Sequence, residues 1–278
     1  MCQDCGPPSR RSFARFLAAG TGLTVLTACT HEAPKAGTPS SAVPPASTSP
    51  SASPTTARAT VAARPAPSPT KAAAGKPSRF SLTDPTSPWL IVNKHRPLAP
   101  ADFAPADLVR PAVATTASGE AALLNSTTAA AAEAMFAAAA ADGVALVLAS
   151  GYRSFAAQTA TYNSHVAARG QADADTASAR PGYSEHQTGW AFDIADGGGA
   201  CGFQPCFADQ PAAVWVKANG HRFGFVVRYP WMFHPITGYY YEPWHLRYVG
   251  VEAASDMAQK GVHTLEEYFG AGAAPGYA

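Results

Sequence analysis

Long hydrophobic runs are missing from this sequence. No stretch of roughly 18 or more strongly apolar residues occurs, which argues against a membrane-spanning helix. Charge is scarce as well: 14% of the 278 residues are Asp, Glu, Lys or Arg, and the formal net charge is +1. That balance leaves no bulk electrostatic footprint for nucleic acid, and none is expected as a partner. There are 8 histidines, scattered, with no His-rich tract of the kind a metal buffer or scavenger would carry. A regular alternation of strand and helix is also lacking, so the expected class is α+β, a small mixed or antiparallel sheet flanked by helices.

What is present begins at the N-terminus. Arg10-Arg11 followed by Phe13 resembles a twin-arginine export signal. The mildly apolar run Phe16 to Ala28 is too short to span a bilayer but suits a signal-peptide core. It ends in Leu26-Thr27-Ala28-Cys29, which resembles a lipoprotein processing box; Cys29 would then carry the lipid. An ordinary secreted protein with an accidental box is the alternative. The expectation is an exported envelope lipoprotein on the outer face of the cytoplasmic membrane, held by its lipid anchor alone. Cys2 and Cys5 fall in the segment that would be removed, and as a lone pair they are a weak metal or redox motif. Cys201 and Cys206, outside the cytoplasm, are expected to form a local disulfide; metal ligation is the alternative.

Residues 30–77 are dominated by Ala, Pro, Ser and Thr. Such a segment buries too little apolar surface to offset chain entropy and reads as a disordered linker. Some 45 residues at about 3.1 Å each would reach roughly 140 Å. The folded domain is expected over 78–270. Trp89–Asn93 reads as an opening strand, Glu120–Ala141 as a helix, Val144–Ala149 as a buried strand and Phe155–Ala168 as a helix closed by Gly170. A polar stretch follows to Pro181-Gly182. Further strands are expected at Gly189–Ile194, Phe223–Val227 and Tyr239–Glu242, and helices at Pro211–Asn219 and Val251–Lys260.

Two short stretches carry chemistry. The first is Ser184-Glu185-His186-Gln187-Thr188-Gly189-Trp190-Ala191-Phe192-Asp193; the second is Glu242-Pro243-Trp244-His245. A catalytic zinc site needs three protein ligands and one open position. His186, Asp193 and His245 can supply the three, leaving Glu242 as a base toward a water held there. Pro243 is expected to interrupt regular pairing so that Glu242 and His245 converge, and Gly189 to do the same between His186 and Asp193. By spacing alone any of these histidines can instead be a satisfied core or surface residue. His31, His95, His165, His221, His234 and His263 take that bland reading, with His234 the substitute ligand.

The pattern Ser-x-His-x-x-Gly-x-Ala-x-Asp followed by Glu-x-Trp-His resembles the VanY-like D-alanyl-D-alanine metallocarboxypeptidases. Val92-Asn93-Lys94, Pro97-Leu98, Pro105–Val109 and Ser150-Gly151-Tyr152-Arg153-Ser154 with Gln158 extend the likeness over about Leu90 to Tyr268. The resemblance implies a fold shared with lysostaphin-type endopeptidases and the hedgehog signalling domain. It implies one Zn2+ per chain on His186, Asp193 and His245, and Glu242 as catalytic base. It also implies that Arg153 lies near the substrate carbonyl and carboxylate, and that Gln158 and Ser184 help bind the peptide's C-terminal end. A structural ion pair at a helix start is the alternative for Arg153. Tyr152, Tyr183 and Trp244 are expected to wall the pocket, with core packing as the equal alternative. The implied activity is removal of the terminal D-alanine from peptidoglycan stem peptides. Composition says little of oligomeric state, and a monomer is the default expectation. L,D-carboxypeptidase action on tetrapeptides and a non-catalytic zinc-containing wall-binding module are the rivals. The loop Gly197–Asp209, with its cysteines, and the segment Tyr229–Gly238, with Trp231 and Phe233, stand outside these motifs, and shaping the pocket rim is the reading for both.

Overall fold

A computed structural model describes residues 80–278. The export signal, Cys29, His31 and the whole of the linker lie outside the described residues. In order, the regular elements are β1 (Leu108–Val109), β2 (Leu124–Asn125), α1 (Ser126–Ala141), β3 (Leu146–Ser150), α2 (Phe155–Arg169) and α3 (Gln171–Ala177). They continue with β4 (Ala191–Asp196), α4 (Pro211–Asn219), β5 (Phe225–Tyr229), α5 (His234–Thr237), β6 (Glu242–Tyr248), α6 (Val251–Lys260) and α7 (Leu265–Phe269). β1 and β2 form a small antiparallel pair. The central sheet is antiparallel throughout, in the order β3-β4-β6-β5. This is the expected α+β architecture.

Alternation along the strands separates core from site. Phe192 and Leu246 are cross-strand partners and are buried in the main core with Leu148 and Ile194. Helix α1 covers that face with Ala132, Met135, Phe136 and Ala139, a helical spacing. Burying each large apolar side chain contributes about 1.5–3 kcal/mol. The next residues along each strand, Asp193 and His245, therefore point to the other face. They too are direct partners across β4 and β6. A second cluster, built on Ile91, Val249, Ala253, Ala254, Met257 and Leu265, packs α6 and α7 below.

Several elements differ from expectation. Trp89–Asn93 is not a strand; the segment makes one isolated bridge, Asn93 to Arg96. Leu90, Ile91 and Val92 are buried, but side chains do the work of a neighbouring strand. Arg247 donates to the carbonyls of Pro88 and Leu90, and Arg96 to that of Ile91. The long helix expected from Glu120 breaks into a 3-10 turn (Gly119–Ala122), β2 and then α1. The Asn125 side chain caps α1 by accepting from Thr128 N–H at 2.9 Å, which contributes about 1 kcal/mol and fixes the start. The polar stretch after Gly170 contains α3, and the strand expected at Tyr239–Glu242 begins only at Glu242. Packing also continues past residue 270: Ala274 is buried and its N–H donates to Ile236 C=O, and Tyr277 meets Tyr183 edge-on.

Candidate active site

His186 sits in a 3-10 turn, Glu185–Thr188, that ends at Gly189 with φ of 68°. That left-handed turn redirects the chain into β4. A Cβ at Gly189 would lie 2.8 Å from the backbone nitrogen of Asn125, so the position requires glycine. Pro243 has its expected effect within β6. Pairing with β4 is regular through His245, whereas pairing with β5 shifts between Val227 and Tyr229. The shift lies beside Pro243 and brings Glu242 to the same side as His245.

Three side chains distant in sequence converge here. Suitable donor atoms of His186, Asp193 and His245 all lie within 4.8 Å of one another, the one such group among the described residues. His186 Nδ1 stands 2.7 Å from Gly151 C=O. A carbonyl only accepts, so Nδ1 carries the proton and the lone pair of Nε2 faces Asp193 Oδ2 at 3.4 Å. His245 Nδ1 lies 3.1 Å from Asp193 Oδ1 and 3.7 Å from Glu242 Oε2. Asp193 Oδ1 is buried and has no hydrogen-bond partner, despite that nearby nitrogen. A buried carboxylate with one oxygen left in this condition, and one imidazole nitrogen turned toward each of its oxygens, fits a divalent cation better than it fits a protein-only network.

The electrostatics agree. Burial works against the Asp193 charge, but His186 and His245 hold its carboxyl well below the usual range. Burial pushes Glu242 up to about 8; Asp193 adds to the rise, while His245 and Arg153 oppose it. Burial disfavours a charged His245, yet its contacts with Asp193 and Glu185 raise it to about 9. Negative charge thus accumulates around His245, an environment prepared for a cation.

These residues open on a cleft of about 500 Å³. Arg153, Ser184, Trp244, Tyr229, Tyr239, Tyr240 and Tyr241 line it together with the ligand residues and Glu242. Arg153 N–H donates to His186 C=O, and its guanidinium donates to Gln158 Oε1 at 3.0 Å and Ser150 Oγ at 3.3 Å. No ion pair among the described residues holds it, so the structural alternative for Arg153 is not what they show. Gln158 is a correction. It is fully buried, with its amide donating to Ala179 C=O and Ser178 Oγ, so every polar group it has is used inside the protein. It orients Arg153 rather than lining the cleft. Tyr152 is a second correction: it is buried and absent from the cleft wall. Tyr183 packs on Tyr277 instead. His234 stays away from the cluster, packed near Tyr240, while His165 lines the cleft. Cys201 and Cys206 are joined by a disulfide. Between them Phe203, at φ 54°, meets Trp244 edge-on at 5.9 Å and forms part of the rim.

Sequence reasoning gave no part to Glu185, Arg228, Arg247 or Glu266, all buried beneath His245. Their signal was available: Arg228 and Arg247 are full charges inside otherwise apolar strand segments.

Comparison with known proteins agrees with this geometry. The family described as VanY, D-alanyl-D-alanine carboxypeptidase, matches residues 121–251. YodJ of Bacillus subtilis (strain 168), named as a carboxypeptidase, is 38% identical over 191 residues, covering 68% of this chain and 69% of that protein. A D-alanyl-D-alanine carboxypeptidase of Enterococcus faecalis is 43% identical over 138 residues, 46% of this chain and 48% of the relative, so the chain spans about half of that protein's length. Among solved structures, the LD-carboxypeptidase LdcB aligns with a TM-score of 0.63 at 39% identity, covering 67% of this chain and 87% of LdcB. A variant of the vancomycin-resistance D,D-pentapeptidase VanY, in complex with Zn(II), aligns at 0.55 and 34% identity, covering 65% and 97%. With its sheet, its cluster and these relatives in agreement, the chain belongs to the VanY family of D-alanyl-D-alanine carboxypeptidases, which are peptide hydrolases.

Proposed function

We propose that this protein is a zinc-dependent carboxypeptidase that removes the terminal D-alanine from peptidoglycan stem peptides. One observation carries the reading: two imidazoles and the unpartnered Asp193 Oδ1 converge beside Glu242 on the floor of an open cleft. Two nitrogens and one carboxylate, with a position left open, suit a single catalytic zinc. A relative solved with Zn(II) and another in complex with D-alanine-D-alanine support the choice of metal and substrate. When bound, the ion supplies Lewis acidity at the scissile carbonyl and lowers the proton affinity of water.

The protein's own groups do the rest. The peptide's terminal carboxylate and scissile carbonyl lie toward Arg153, whose planar donor fork suits both a carboxylate and a developing oxyanion. Gln158 and Ser150 hold that fork in place. Glu242 Oε2 takes a proton from the attacking water and passes it to the departing amine. Burial is what makes it a proton carrier: its carboxyl sits near neutrality, and nearby positive charge favours the ionised form needed at the start. Trp244 and the tyrosines at 239–241 wall the cleft on the substrate's apolar side.

The likeness to LdcB favours a second reading, L,D-carboxypeptidase action on tetrapeptide stems, with the same residues in the same roles. Digestion of defined penta- and tetrapeptide muropeptides, with and without chelator, separates the two by mass spectrometry. Hydrolysis of neither, or hydrolysis untouched by chelator, sinks both.

The same proposal places the protein outside the cytoplasmic membrane, a monomer anchored through Cys29, with residues 30–77 as a tether. No helix among the described residues is long and apolar enough to cross a membrane. Replacing Cys29→Ser moves the protein from the membrane fraction to the soluble one if the anchor is right.

A further inference from the structure

Beneath His245 lies a set of charges that the hydrolytic steps do not use. Glu185 is 2% exposed and Arg228 and Arg247 are 1% and 0% exposed. Glu185 Oε1 accepts from Arg228 Nε at 2.7 Å and from Arg247 Nη1 at 3.1 Å. Arg228 turns both terminal nitrogens to Glu266, at 2.9 and 2.7 Å, and Asn93 donates to the same carboxylate at 3.0 Å. Arg247 spends its others on the carbonyls of Pro88, Leu90 and Tyr248. Two carboxylates and two guanidiniums therefore balance one another. The second oxygen of Glu185 is left over from this arrangement, and it faces His245 Nε2 at 3.4 Å.

The two imidazoles of the cluster are thus set in opposite senses. His186 is anchored through Nδ1 and offers Nε2; His245 is anchored through Nε2 and offers Nδ1. From this geometry we infer that Glu185 is a positioning residue: it holds the proton of His245 on Nε2 and so presents a bare Nδ1 to the metal. Arg228 and Arg247 fix the direction of that contact by claiming Oε1 between them. The inference rests on His186, Asp193 and His245 being the metal ligands.

The arginines make the role testable by a nearly isosteric change. In Glu185→Gln the substituted carbonyl oxygen must face the two guanidiniums, which are donors only. The amide nitrogen is then turned to His245 Nε2, donor against donor. Relief comes from moving the imidazole proton to Nδ1, which blocks the metal-facing nitrogen. A purely structural charge cluster predicts lower stability without this consequence.

The experiment is carried out on the full chain labelled with 15N-histidine and loaded with zinc. Long-range 1H–15N correlation spectra are expected to show the His245 proton on Nε2 and none on Nδ1. Zinc competition titration is expected to give a Kd about tenfold or more higher for Glu185→Gln, with the near-ultraviolet circular dichroism of the fold kept. A proton on Nδ1 in the wild-type spectrum overturns the inference. So does a folded Glu185→Gln that binds zinc within about twofold of wild type. If that variant does not fold, Glu185→Asp, which keeps the charge against the two guanidiniums but shortens the reach to His245 Nε2, takes its place in the zinc titration with the same two outcomes. A wild-type chain that takes up no zinc overturns both this inference and the metal centre beneath it. Muropeptide hydrolysis is assayed separately, so failure to cleave with the His245 result intact removes the substrate reading only.

Discussion

Asp193 stands directly across from His245 in the pairing of the two central strands, with Oδ1 3.1 Å from Nδ1. The candidate metal cluster is therefore built into the sheet's register. A slip of one residue in either strand would turn that strand's ligand into the apolar core. His186 joins from a turn, and Glu242 from the irregular start of β6.

Replacing Glu242→Gln removes the proton carrier while keeping its size and burial. Turnover of pentapeptide muropeptides is expected to fall by about 10²–10⁴-fold. Zinc content, measured by elemental analysis, is expected to stay at the wild-type level. Full activity in this variant would rule out the proposed base.

Changing His186, Asp193 or His245 to alanine acts in the opposite order. Zinc is lost first and activity with it. Chelation of the wild-type protein is expected to abolish hydrolysis, and added Zn(II) to restore it.

Arg153→Lys keeps the charge but loses the fork that Gln158 and Ser150 hold. A drop in kcat/KM of about tenfold or more is expected, and lysine should not rescue beyond that. Gln158→Leu leaves the cleft wall unchanged in composition but frees Arg153 and orphans two buried groups. It is expected to cost about 1–3 kcal/mol in urea unfolding together with part of the activity.

The disulfide closes a short loop, so Cys201→Ser with Cys206→Ser is expected to cost about 2 kcal/mol at most. Its larger effect falls on Phe203, which it holds against Trp244 at the rim. KM is expected to rise with kcat little changed, as determined by steady-state kinetics on a muropeptide.

Removing the metal exposes a pH dependence. In the metal-free chain Glu242 is raised to about 8 and His245 to about 9. Both bind protons more tightly folded than unfolded. Their contribution is present at low pH and is lost as pH rises through those values. The Tm of the chelated protein is expected to fall between about pH 6 and about pH 9, with zinc largely removing the slope. A chelated Tm that rises over this range would contradict the charge balance described for the cluster.

Much of the site was legible from two short motifs. His and Asp types at fixed spacing announce a metal, and Pro243 and Gly189 announce the turns that let those residues meet. Gln158 and Tyr152 were less legible because a motif does not say whether a polar side chain points at a ligand or at the residue that does. Gln158 serves Arg153, and only its hydrogen bonds reveal it. The segment at Trp89–Asn93 misled for a related reason. Its apolar run reads as a strand, but its carbonyls are taken by arginine side chains, Arg96 from just beyond the segment and Arg247 from far along the chain. Helix α1 was placed correctly at its end and too early at its start, because the Asn125 cap outweighs the alanine-rich pattern around it.

The Glu266–Arg228–Glu185 chain ties α7 to the His245 imidazole on the central sheet. A nascent polypeptide can lay down every ligand by residue 245 and still lack the brace that orients the last of them. On the role inferred for Glu185, metal competence therefore waits until α7 has been made and docked. Trimming α7, far from any substrate, would disarm the enzyme from behind.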